Sequence, residues 1–303
     1  MSSIAYVTDE KMIEYHRLCG NRQINFWRLT SRKEFKDFHP GELLFFYTHP
    51  RGRRKKGFVG YAHYATSHTM SLDAMWKRYG NNNGYDTLEQ MEEAIRRAAK
   101  DKPVPEKMNC LQLDNVVFFL EPVFPEDVGL TISPKMESYC YLDQEDPETT
   151  IRILKQAEKN GIDIWSASQG EEIQNTFRRD ELRHQLAWIQ KQIGKTNYND
   201  KERALAQKLS RQYLEEHGGE MIRNNRTDIF EISDDRIVIT VPFVSQSRDY
   251  KTRRKEFFGK LILYKMMIEE SEQAFAPVKF NVITLSDQPE IRAYTDRINH
   301  DGL

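Results

Sequence analysis

At 303 residues the chain has room for two ordinary domains, each with its own core. Hydrophobic residues make up 39% and charged residues 30%, and no apolar run approaches the roughly 18–20 residues that a membrane span needs. The net charge of −1 supplies no global positive field, so any polyanion binding must come from local patches. Cys19, Cys110 and Cys140 are odd in number and form no CxxC pair. That pattern speaks against a secreted disulfide framework and against a cysteine-rich zinc site. His16, His63 and His68 likewise lack the paired spacing of a tetrahedral zinc site. The first residues, Met1 to Glu10, are mixed and partly acidic with no apolar signal-peptide core, so the expectation is a cytoplasmic protein with no membrane partner.

In chain order, Asp9 to Leu18 reads as a short helix and Ile24 to Thr30 as a strand rich in aromatic and β-prone residues. Ser31 can cap a helix over Arg32 to Asp37, with Glu34 completing a capping box. His39 to Glu42 is a turn, and Leu43 to Tyr47 a second apolar strand. The run Arg51-Gly52-Arg53-Arg54-Lys55-Lys56 follows, with five basic residues in six. It is either a solvated loop tip or a phosphate contact, and its place between two apolar strands favours phosphate. Gly57 to Tyr64 is a third strand, whose two glycines predict a bend or a close backbone approach. Leu72 to Tyr79 and Leu88 to Ala99 read as helices capped by Ser71 and Thr87, with a loop over Gly80 to Gly84. Val116 to Leu120 is an apolar strand continuing to Phe124.

Several of these pieces carry a resemblance. They are the Asn25-Phe26-Trp27-Arg28-Leu29 strand, the Pro40-Gly41-Glu42 turn, Phe58-Val59-Gly60-Tyr61-Ala62, and Trp76-Lys77-Arg78-Tyr79-Gly80 with the Asn/Gly run behind it. In this order they resemble the EVE-type domain of the PUA-like superfamily, relatives of the YTH and ASCH readers. Family members carry a Lys-Ser-Glu-Pro type segment after the first strand, where this chain has Thr30-Ser31-Arg32-Lys33. The resemblance implies a small β-barrel with a pocket for a modified base. A flipped base is a flat plate with a polar edge, so aromatic faces grip it and a few polar side chains identify it. Trp27, Tyr47, Trp76 and Tyr79 are the candidate faces, with Thr30, Ser31 and Asn83 as polar readers. Arg51, Arg53, Arg54, Lys55 and Lys56 are the candidate phosphate contacts. The competing reading for any of the aromatics is ordinary core packing.

Ile151 to Asn160 reads as an amphipathic helix. Glu171 to Ile193 follows as a long helix with Leu182, Leu186, Ile189 and Ile193 on one face. Another runs from Asp200 to Glu216 and ends at His217-Gly218-Gly219, and the pair reads as a connector or a dimer surface. From Glu220 the pattern turns to strands, at Met221 to Arg223, Asp228 to Ile232 and Ile237 to Phe243. A helix from Asp249 to Glu270 and a strand from Val278 to Leu285 close the series. That layout resembles a PD-(D/E)xK nuclease core, in which two carboxylates hold Mg²⁺ and a lysine helps activate water. Asp228 sits where the first acid belongs, but Ile237-Val238-Ile239-Thr240-Val241 carries no acid-x-Lys. Glu231 and Lys260 are the substitutes, giving Asp228 and Glu231 as metal ligands and Asp228, Glu231 and Lys260 as a catalytic set.

The expected fold is α+β: a PUA-like reader over residues 1–165, a helical connector over 166–218, and a small α/β nuclease-like domain over 219–303. The expected function is reading a modified base in nucleic acid, DNA ahead of RNA, within a restriction-like defence system, with the helical connector or the C-terminal domain as the candidate homodimer surface. Three readings stay open: a Mg²⁺-dependent endonuclease, a non-cutting docking protein with a degenerate nuclease domain, and a reader of modified RNA.

Overall fold

The computed structural model describes residues 2–29, 35–50, 55–100, 102–163, 171–223, 225–233, 236–245, 250–270 and 277–300. The chain divides into two compact units, Met1–Glu181 and Leu182–Leu303, and the class is α+β with one sheet in each. The division falls inside a single helix, α5 (Glu171–Ile193), so the stretch expected as a separate connector is shared between the units. Among the described residues no helix is long and apolar enough to cross a membrane.

The first unit is built from β1 (Ile4–Val7), α1 (Glu10–Cys19), β2 (Ile24–Arg28), β3 (Leu43–Thr48), β4 (Gly57–Met70), α2 (Leu72–Tyr79), α3 (Leu88–Ala99), β5 (Met108–Val123), β6 (Tyr139–Tyr141) and α4 (Thr149–Asn160). Its sheet runs β2-β5-β4-β3-β1-β6, with β1 and β3 parallel and every other pair antiparallel. Ser71 and Thr87 cap their helices where the sequence places them, and Asp9 caps α1 from just before its first turn. Asp9 accepts from Met12 N at 3.0 Å, Ser71 from Ala74 N at 3.4 Å and Thr87 from Gln90 N at 3.3 Å. β3 is apolar throughout because both its faces are covered. Leu44 and Phe46 enter one core, and Leu43, Phe45 and Tyr47 the other. Gly60 sits where β4 crosses β5, and a Cβ there would lie 2.4 Å from the Val117 carbonyl oxygen, so only glycine fits.

Three stretches depart from the sequence expectation. β1, β6 and the first half of β5 escape periodicity, the first two because four and three residues are too short to show alternation. The Asn/Gly run forms a 3-10 turn, Gly80–Asn83, rather than an open loop. Of the helix expected from Arg32 to Asp37, residues 30–34 lie outside the described residues and Phe35 to Asp37 are not helical.

The second unit holds the end of α5, then α6 (Asp200–His217), β7 (Glu220–Met221), β8 (Ile229–Ser233), β9 (Arg236–Phe243), α7 (Tyr250–Glu269), β10 (Val278–Thr284) and α8 (Pro289–His300). Sheet order is β10-β9-β8-β7, with β9 and β10 parallel. Leu182, Leu186 and Ile189, the stripe read as a connector or dimer face, are buried in this unit's core against Phe230, Leu261 and Tyr264. The closing helix α8 was not foreseen from the sequence.

Candidate functional site

In the first unit, an arginine closing a largely apolar strand organises a bay of aromatic rings. Arg28 is buried at the end of β2, and its Nε and Nη2 donate to Asn109 Oδ1 at 2.9 and 2.5 Å. The guanidinium carbon lies 4.5 Å from the centre of the Phe35 ring, within cation–π range. Phe35 meets Tyr139 edge-on at 4.9 Å, and Tyr139 stacks on Tyr6 at 5.8 Å. Phe38 and Tyr64 continue the array, stacked at 5.1 Å, and Tyr141 flanks Tyr139. Tyr6, Phe35, Tyr64, Tyr139 and Tyr141 are only half-buried, so rings and guanidinium together border solvent-reachable space. Burial is the main cause raising the Tyr6 hydroxyl pKa above its ordinary value, with Arg28 opposing it, so this phenol stays neutral.

Few of the residues chosen from the sequence belong to this bay. Thr30 and Ser31, which follow β2 directly, lie outside the described residues. Alternation along β2 puts Trp27 on the opposite face from Arg28. There it is half-buried, and its indole N–H finds no partner among the described residues. Trp76 is also half-buried against the same core. Tyr79 is buried, with its hydroxyl unpartnered and Arg78 over its ring at 5.2 Å. Asn83 is fully enclosed: its Oδ1 accepts from Asn25 Nδ2 at 2.8 Å, and its Nδ2 donates to the Gly80 and Met75 carbonyls at 2.7 and 3.3 Å. It ties the 3-10 turn to β2. Tyr47 lies in the other core, against Phe58. Arg51, Arg53 and Arg54 lie outside the described residues. Lys55 pairs with Glu126 at 2.5 Å in the open, and Lys56 Nζ lies 6.0 Å from the Tyr47 ring.

Sequence reasoning missed Arg28, Tyr6, Phe35 and Tyr139. Arg28 carried a signal, because a strand that is otherwise buried rarely holds an arginine unless it is partnered. The tyrosines carried none, since they sit on the two short strands that periodicity did not detect.

In the second unit, Asp228 and Lys260 come together. Both are buried, and their charged atoms meet at 2.5 Å. The same carboxylate oxygen accepts from the Tyr264 hydroxyl at 3.0 Å, while Oδ1 takes the Thr227 hydroxyl at 3.0 Å. Burial first, and then the Asp228 charge, push the Tyr264 phenol well above its ordinary pKa. Tyr264 also bonds Gln190, which accepts from Asn225 Nδ2 at 2.6 Å. Glu231 does not join this group. Strand alternation turns it to the other face of β8, where it accepts from Tyr213 of α6 at 3.3 Å. Mg²⁺, which a nuclease core would require, needs carboxylate oxygens converging on one point. Here both oxygens of Asp228 are engaged by protein donors and Glu231 faces another helix, so these residues do not fit the ion.

No protein-family model matches the chain, and no curated protein does. Among solved structures, it is similar to ASCH from Zymomonas mobilis, at 14% identity over 49% of this chain and 93% of that one, with a TM-score of 0.35. It is also similar to the N-terminal domain of Staphylothermus marinus McrB, at 17% identity over 51% of this chain and 93% of that one, with a TM-score of 0.37.

Proposed function

We propose that the first unit binds nucleic acid and receives one unstacked base in the bay around Arg28. The observation that carries this reading is the Arg28 guanidinium, held by Asn109 4.5 Å from the centre of the Phe35 ring and bordered by half-buried tyrosines. Such a set offers stacking faces, each contributing about 1–3 kcal/mol per base, together with a fixed cation for an acceptor on the base edge. The likeness of the opening strands to EVE-type readers supports the same reading. Phosphates flanking the base would meet the basic run of Arg51, Arg53, Arg54, Lys55 and Lys56. A modified base read within a restriction-like defence system is the finer form of this proposal.

A second reading concerns the other unit, and a specific observation favours it: a docking role without cutting. The engaged state of Asp228 and the turned-away Glu231 speak for that role and against Mg²⁺-dependent cleavage.

The test is fluorescence anisotropy with matched DNA duplexes carrying cytosine, 5-methylcytosine or 5-hydroxymethylcytosine, and with the RNA of the same sequence. Tyr139→Ala removes a half-buried face of the bay and is expected to abolish preference among the probes, while Trp27→Ala, on the opposite face of β2, keeps it. The reverse pattern would move the base to the Trp27 face. No binding to any probe by the parent protein would end the proposal, and Mg²⁺-dependent cleavage would end the docking reading.

A further inference from the structure

The second unit contains a cavity of about 700 Å³ between the end of α5, the start of α6 and the turn before β8. That size suits a mononucleotide-sized ligand. Its rim carries three cations, Lys195, Arg203 and Arg226, and among the described residues no acidic side chain lines it. Its floor is polar and closed: Gln190 and Thr227 are buried, and Asn225 bridges them by donating to Gln190 and accepting from the Thr227 amide at 3.1 Å.

The charges around the cavity can be followed one by one. Behind the floor, Lys260 and Asp228 neutralise each other, and Lys260 reaches the cavity-lining Thr196 hydroxyl at 3.4 Å. Arg253 is matched by Glu202 at 3.0 Å, and Arg203 by Asp200 at 2.9 Å. Lys195 and Arg226 remain. Both are exposed, and neither makes an ion pair among the described residues. Arg226 also holds a left-handed backbone at φ 66, a conformation that asparagine or glycine adopts more readily. A side chain kept at a position that disfavours it points to use of that side chain.

We infer that this cavity binds a phosphate-bearing ligand, with Lys195 and Arg226 as its principal anion contacts and Arg203 beside them. Two uncompensated cations over a neutral, hydrogen-bonding floor suit a doubly charged phosphate, and the arginine fork suits its oxygens. A free nucleotide and a nucleic-acid backbone present the same chemistry. The site is independent of the aromatic bay in the first unit.

The test uses the full chain in calorimetric titrations with inorganic phosphate, ATP and single-stranded oligothymidylate. Lys195→Gln combined with Arg226→Gln is expected to weaken whichever probe binds by about tenfold or more. Because both residues are exposed, the melting temperature should not change. Binding of phosphate and ATP identifies a free nucleotide as the ligand, and binding of the oligomer alone identifies a backbone; either outcome supports the site. Arg28→Lys, which alters the bay, should leave phosphate and ATP binding intact and the oligomer still sensitive to the double variant, so failure of the base-reading proposal stays separable from failure of this one. The inference falls if the parent binds none of the probes at millimolar concentration, or if the double variant binds them as the parent does.

Discussion

The two units differ in how fully they satisfy their buried polar groups. In the second, Asp228, Lys260, Tyr264, Thr227, Asn225 and Gln190 form one connected network in which each member has a partner. In the first, more polar atoms are buried and left over: Thr8 Oγ1, Asn25 Oδ1, Trp27 Nε1, the Tyr79 and Tyr85 hydroxyls, His16 Nε2 and both Glu181 oxygens have no partner among the described residues, against Gln185 Oε1 in the second. A satisfied network fixes one packing and makes the loss of any member costly. Unused hydrogen-bonding capacity lowers stability and leaves groups that can answer to a ligand or to pH. The difference separates a unit built to hold its shape from one that retains chemical freedom.

The sharpest way to break this contrast is to remove one partner of the buried pair. Lys260→Met leaves the Asp228 charge enclosed and should destabilise the second unit by about 3–5 kcal/mol in urea unfolding. Adding Asp228→Asn should recover much of that loss, and a mild single variant would mean the pair is wetter than its burial indicates.

Glu181 tests the other side. Its carboxyl is pushed up to about 7, first by burial and then by the Glu158 charge, with Lys155 opposing. The acid is protonated in the folded state over a range where the unfolded chain is already ionised, so its contribution is full below pH 4.5 and is lost as the pH climbs through about 7. The linked loss is roughly 3 kcal/mol. Glu181→Gln should flatten this slope and raise the melting temperature at pH 8 while changing little at pH 4.5. Equal slopes in variant and parent would reject the assignment.

The smallest effect belongs to Lys55, whose pairing with Glu126 is fully in solvent. Lys55→Ala should leave the melting temperature unchanged. If the basic run contacts phosphate, the variant should lower the salt dependence of nucleic-acid binding by about one unit in the log–log slope.

The sequence made most elements legible where they are long or capped. α2 and α3 lie within their capping residues, and α5 follows its apolar stripe. The site was harder to read. Trp27 is conspicuous in a sequence, yet it lies across β2 from the rings that surround Arg28, and one residue of alternation decides the matter. Tyr6 and Tyr139 sit 133 residues apart in the chain, and only the pairing of β1 with β6 brings them together. No local pattern encodes that contact. Asp228 and Lys260 were both named from the sequence, but their direct pairing, which occupies the carboxylate, depends on how α7 crosses the sheet.

The placement of β1 between β3 and β6 bears on biosynthesis. β6 reaches β1 only after the long stretch of chain between them has been made, and Ser3 N donates to Asp143 across a separation of 140 residues. Until then β1 has one edge without its final partner, and an unpaired apolar edge is what holdase chaperones engage and what seeds misassembly. The first unit should therefore complete its sheet only once β6 has emerged, after the other five strands are available to pair.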